Sequence, residues 1–196
     1  MSLLLPVLVR GINNLSDARY CAGMGADGLI FTLDPALPGA VDVATVKELA
    51  GWVAGVEIIG EFGSEMPVSE INRLVEECSL TRIVLNLPAT GSWPDGPVAV
   101  PALVELPQPV AADTLDQLRT ALTAGFELIT RLSEATLPTS TQQQPSWLSG
   151  NPAPAQVAEL IAQLQPTGLI LQGGDEIKPG IRDFDELDAL FEALEE

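Results

Sequence analysis

The chain contains no histidine. The usual near-neutral proton shuttle and the commonest zinc ligand are therefore missing, and a serine–histidine triad is excluded. Acid–base chemistry has to come from carboxylates or from a perturbed Cys, Tyr or Lys. Cysteine is scarce: Cys21 and Cys78 make neither a disulfide framework nor a CxxC metal site, and no cofactor is implied. Basic residues are scarce too, nine Lys and Arg against 27 Asp and Glu, for a formal net charge of −18. That field repels nucleic acid, whose binding rests on cations that displace counterions, and it disfavours anionic membrane surfaces. Long apolar runs are also missing. The opening SLLLPVLV has no basic n-region, is cut by Arg10, and is too short for a signal segment or a membrane span. The chain reads as soluble and cytoplasmic.

What is present suits a packed core. Apolar residues make up 46% and charged residues 18% of 196 positions, the size of one domain. Short apolar runs recur at 3–9, 28–33, 56–62, 82–87, 98–106, 127–132, 146–149 and 168–171. Near-continuous Val, Ile and Leu is what parallel strands buried on both faces require. Helix-period segments lie between them. Ser16 precedes a segment ending near Gly25; Asp42 opens VATVKELAGW; Ser69 precedes EINRLVEEC; Thr114 opens LDQLRTAL; Pro154 starts AQVAELIAQL; Asp183 and Glu186 form a capping-box variant before LDALFEAL. Two connections break the pattern. Pro88–Pro97 holds three prolines and two glycines, and Glu134–Pro145 is polar and loop-like. Eight strands in one α/β domain favour a (β/α)8 barrel over residues 1–196, with helical units four and six truncated; a doubly wound sheet is the alternative.

Residues 173–183, GGDEIKPGIRD, resemble the last strand and loop of the phosphoribosylanthranilate isomerase family of tryptophan biosynthesis, which carries SGVE, two residues and then PGIKD. Val9-Arg10-Gly11-Ile12 stands where the family has ICGI, followed by a similar first helix and Ala26-Asp27. Ile59-Gly60-Glu61-Phe62 is similar to VGVF, and Gly150 to Val157 to GGLxPENV. The resemblance thins between about 88 and 145. It implies a TIM barrel with its site at the C-terminal strand ends. The implied reaction is an Amadori rearrangement of an aminoaldose phosphate, with a strand-six Asp as general acid and the ICGI cysteine as general base. Here the cysteine position is Arg10, and the aspartate position falls at Thr130 or Arg131. The substrate-contacting Arg after strand two aligns with Gly39, and the strand-four His with Asn86. Arginine stays protonated near neutral pH and is no base.

A phosphate cradle is the feature that persists in the resemblance. Gly150, Asn151, Gly173 and Gly174 stand at the loops after strands seven and eight, where main-chain N–H groups would face a small anionic or sugar-phosphate ligand, although Asp175 adds opposing charge. The turn after Glu176 would supply further donors. Arg10 and Arg131 are expected at the mouth with Glu61, Asn86, Glu105 and Glu176, either as an ion-pair network or as an anion pocket. Cys21 and Cys78 read as small buried hydrophobes and Trp52 as helix packing; Trp93 marks a loop lid or a self-packed loop. Three functions compete. One is an isomerase-like barrel without the normal activity, binding a small anion. Another is the active isomerase with its acid and base relocated to Glu61, Glu105 or Glu176. The third is a non-enzymatic interaction scaffold. A monomer or weak homodimer is expected.

Overall fold

A computed structural model describes residues 3–88, 95–107, 110–134, 146–173, 176–178, 181–182 and 184–195. Eight parallel strands close into a barrel: β1 (Val7–Arg10), β2 (Gly28–Thr32), β3 (Glu57–Gly63), β4 (Arg82–Asn86), β5 (Ala102–Glu105), β6 (Phe126–Arg131), β7 (Ser146–Ser149) and β8 (Gly168–Gln172). Each strand pairs with the next in sequence, and β1 pairs with β8. Helices α1 (Leu15–Gly23), α2 (Val43–Trp52), α3 (Val68–Cys78), α4 (Ala112–Ala121) and α5 (Val157–Leu164) cover the outside. After β8 come a two-stranded antiparallel hairpin, β9 (Glu176–Lys178) and β10 (Ile181–Arg182), and then α6 (Asp185–Leu194). Among the described residues no α-helix follows β4 or β6. Residues 89–94, with Trp93, and 135–145 lie outside those described.

Side chains alternate along a strand, so each contributes to two separate cores. Outward residues such as Val9, Phe31, Phe62, Leu85 and Val104 pack under the helices. Inward, one residue from every strand fills the barrel: Leu8, Ile30, Ile59, Val84, Leu103, Ile129, Trp147 and Ile170. Trp147 fits because β8 opens with glycine; a Cβ at Gly168 would lie 2.4 Å from the indole and 2.6 Å from the Pro6 carbonyl. Below this layer Arg82 lies 5.3 Å over the Trp147 ring and 2.6 Å from Glu57, while Trp147 Nε1 donates to Glu127 at 3.1 Å. The N-terminal end of the barrel is thus closed by a paired cation and an indole.

Several element boundaries move from their sequence-based positions. Strand one starts at Val7 rather than Leu3, because Pro6 lacks an N–H and Leu3 bridges Glu195 instead. Strand five starts only after Pro101. Asn14, not Ser16, caps α1, accepting from the Asp17 N–H at 3.0 Å. The α3 helix begins at Val68 after Pro67, which puts Ser69 inside its first turn. Likewise α4 begins at Ala112, before Thr114. Residues 154–156 form a 3₁₀ turn ahead of α5. The α6 helix opens after Phe184 with no side-chain cap, and Asp183 lies outside the described residues. Asp42 does cap α2, accepting from Thr45 N–H at 2.7 Å.

Candidate functional site

Two residues beyond each inward core position, the strands reach the C-terminal mouth. The same parity places Arg10, Thr32, Glu61, Asn86, Glu105, Arg131, Ser149 and Gln172 there, one per strand and all polar. Most of them line a cavity of about 320 Å³, which Leu37 and Pro38 border from the loop after β2. Asp34 pins that loop, accepting from Ala36 N–H and Gly63 N–H at 2.9 Å each.

Charge in the mouth is balanced between two guanidiniums and two carboxylates. Arg10 Nη2 lies 2.9 Å from Glu105 Oε2, and Arg10 Nε lies 3.4 Å from Glu61 Oε1. Arg131 Nε donates to Glu105 Oε1 at 2.6 Å. Asn86 Nδ2 donates to Glu61 Oε1 at 2.8 Å, and Thr32 Oγ1 to Glu61 Oε2 at 2.9 Å. Both carboxylates are buried; the Arg10 side chain is 13% exposed and that of Arg131 58%. Burial pushes the Glu105 carboxyl up, but the Arg10 and Arg131 guanidiniums together outweigh it and hold it below its ordinary value. Arg10 meets its two partners as ion pairs rather than aligned hydrogen bonds: neither Nε nor Nη2 has an acceptor in hydrogen-bond geometry.

The strand register resolves the strand-six alternative. Arg131 follows the barrel-filling Ile129 and faces the mouth, whereas Thr130 shares the outward parity of Leu128 and bonds Ser146 Oγ at 3.2 Å. Arg10, Glu61, Asn86 and Glu105 meet as expected. The cradle differs from expectation. Gly150 N–H donates to the Ile170 carbonyl at 3.0 Å and Gly173 N–H to the Arg10 carbonyl at 2.8 Å, so neither points into the mouth. Both loops continue the ladder by one bond before leaving the barrel. Asn151 clamps the end of β8, its Oδ1 accepting from Gln172 N–H at 2.8 Å. Gly150 has φ +139, and a Cβ there would lie 3.2 Å from Leu132 Cβ. The segment around Glu176 is a hairpin strand rather than the start of a donor-rich turn, its backbone register pairing Glu176 with Arg182. Gly174 and Asp175 lie outside the described residues.

Thr32, Ser149 and Gln172 are mouth residues that sequence reasoning missed. Their signal was present: each stands two positions after an apolar strand centre, in step with Arg10 and Glu105. Away from the mouth, Cys21 and Cys78 are buried, and burial pushes the Cys78 thiol up. Trp52 does not pack inward. At the C-terminal end of α2 it is 57% exposed, with the Arg19 guanidinium 5.0 Å over its ring. Among the described residues no cluster of three or more metal-ligating side chains occurs, and no helix is long and apolar enough to cross a membrane.

No family model matches the chain. It is 28% identical over 205 residues to the N-(5'-phosphoribosyl)anthranilate isomerase of Trichormus variabilis, covering 96% of this chain and 97% of that protein. The corresponding isomerase of Deinococcus radiodurans is 27% identical over 202 residues, with 96% and 95% covered. A crystal structure of phosphoribosyl anthranilate isomerase in complex with reduced 1-(o-carboxyphenylamino)-1-deoxyribulose 5-phosphate superposes with a TM-score of 0.71 at 19% identity, covering 97% of this chain and 98% of that one. The Thermus thermophilus enzyme gives 0.68 at 24% identity, with the same coverage. These likenesses support the resemblance to the isomerases and show that their barrel fold is shared.

Proposed function

We propose that the chain, 1–196, is a phosphoribosylanthranilate isomerase-like barrel that does not carry out the isomerisation and holds a small, phosphate-bearing anion at its mouth. The observation that carries this is the Arg10 guanidinium. It occupies the position where the resemblance implies the general base, and a guanidinium, already protonated near neutral pH, takes no further proton. Its Nε and Nη2 are charged, largely buried and without aligned acceptors, which is the state a ligand oxygen would complete. Arg131 stands opposite at the strand-six position, and its guanidinium holds its protons too tightly to act as a general acid near neutral pH.

The neighbouring carboxylates do not restore the chemistry. Glu105 is kept ionised by two cations, so it is neither a proton donor nor a strong base. The Glu61 oxygens are occupied by Thr32, Asn86 and Arg10. In this reading Gly150, Asn151, Gly173 and Gly174 frame the anion from the loops after β7 and β8. At 150 and 173 the main-chain N–H groups are engaged in the ladder and do not donate to it. The protein acts in the cytoplasm without a cofactor, as a monomer or weak homodimer. Purified protein given the relatives' substrate should show no turnover, and inorganic phosphate should raise its melting temperature. Turnover overturns the first half of the reading; no response to phosphate by this chain or by its Glu105→Gln variant overturns the second.

A further inference from the structure

The mouth already contains anions of its own. Glu105 lies between the two guanidiniums, 2.9 Å from Arg10 and 2.6 Å from Arg131, and is 5% exposed. Any oxyanion that reaches Arg10 from the cavity approaches this carboxylate as well. The two are like charges in a partly dry site, where their repulsion is screened far less than on the surface. The second carboxylate, Glu61, is held differently. Thr32 and Asn86 both donate to it, so part of its charge is dispersed into neutral hydrogen bonds. Glu105 is instead held by Arg10 and Arg131, the same cations an incoming anion would use.

We propose that Glu105 is the specificity-determining residue of the mouth, an internal counter-ion that an anionic ligand must displace from Arg10 and Arg131, so that it sets a low affinity for simple anions. This rests on the reading that the mouth binds an anion. A bare oxyanion only exchanges one carboxylate for another and gains little. A ligand with additional hydrogen-bonding groups gains from Asn86 and Gln172, which line the cavity, and is thereby selected over free phosphate. Glu105 touches the ligand's binding groups and not the ligand itself; it acts by competition.

The test compares inorganic phosphate binding by calorimetry in the parent, Glu105→Gln and Glu61→Gln at fixed ionic strength. Gln at 105 keeps the shape and an acceptor but removes the competing charge. Glu105→Gln should bind phosphate about 10- to 100-fold more tightly, the span of one hydrogen bond to a charged group. Glu61→Gln should gain less. If Glu105→Gln unfolds, Glu105→Asn carries the same neutral amide on a shorter stem and takes its place. Phosphate binding with equal or weaker affinity in the neutral variant overturns the role of Glu105 and leaves the anion site standing. No phosphate binding by the parent or any variant overturns the site and this inference together.

Discussion

Replacing Arg10 with methionine tests the mouth as a charge-balanced unit. Methionine fills a similar volume, so the change isolates the charge. Two ion pairs disappear, and the carboxylates of Glu61 and Glu105 stay buried. Breaking a buried pair by removing one partner costs about 3–5 kcal/mol. Here the loss belongs at the low end, because Glu105 retains Arg131 and Glu61 retains Thr32 and Asn86. We expect about 3 kcal/mol, read as a fall of roughly 6–12 °C in Tm for a domain of this size. Urea unfolding monitored by tryptophan fluorescence measures it. Adding Glu61→Gln and Glu105→Gln to Arg10→Met should recover most of the loss, since neutral groups need no cation. The deficit should also shrink as pH falls through the lowered value of the Glu105 carboxyl, since a protonated carboxyl needs no cation. A loss under about 1 kcal/mol for Arg10→Met, or no recovery in the triple variant, would refute the reasoning.

Glu105 also gives the parent an acid limb. Because its folded carboxyl is held below its ordinary value, its contribution is complete above the unfolded value near ~4.3 and is lost as pH falls through the lower folded one. Glu105→Gln should flatten that part of the stability–pH curve; an unchanged slope counts against the pairing. Gly168→Ala should cost at least about 1–3 kcal/mol and alter the near-UV circular dichroism of Trp147, because its Cβ would meet both the indole and the fixed Pro6 carbonyl. Wild-type stability would show that the barrel interior is looser than described. Thr130→Ala should leave the phosphate response intact while Arg131→Ala weakens it, since only Arg131 faces the mouth; equal effects would contradict the register.

The barrel was legible because buried parallel strands write themselves as apolar runs, and eight runs in one chain leave few architectures. Strand ends were less legible where proline intervened. Pro6 and Pro101 are silent in an apolar pattern, yet each lacks the N–H a ladder needs. Caps erred where the backbone took a different partner, as at Asn14 and Pro67. At the site, residue types picked out Arg10, Glu61, Asn86 and Glu105 at strand ends, but not which way strand six faces. Two adjacent residues, Thr130 and Arg131, differ by one step of a period-two pattern, and only the pairing with β5 and β7 fixes it. The glycine N–H groups were misread for a related reason. Gly150 and Gly173 look like open donors in sequence, and the extra ladder bond that engages each depends on neighbouring strands.

The most direct measurement is continuous fluorescence of N-(5'-phosphoribosyl)anthranilate with purified protein, run beside the Trichormus variabilis enzyme as positive control. In the proposed reading Arg10 and Arg131 take the base and acid positions; loss of each general catalyst costs about 10²–10⁴-fold, and the signal should decay no faster than in buffer. Turnover by this chain within the ordinary enzyme range, about 1–10³ per second, would contradict the account.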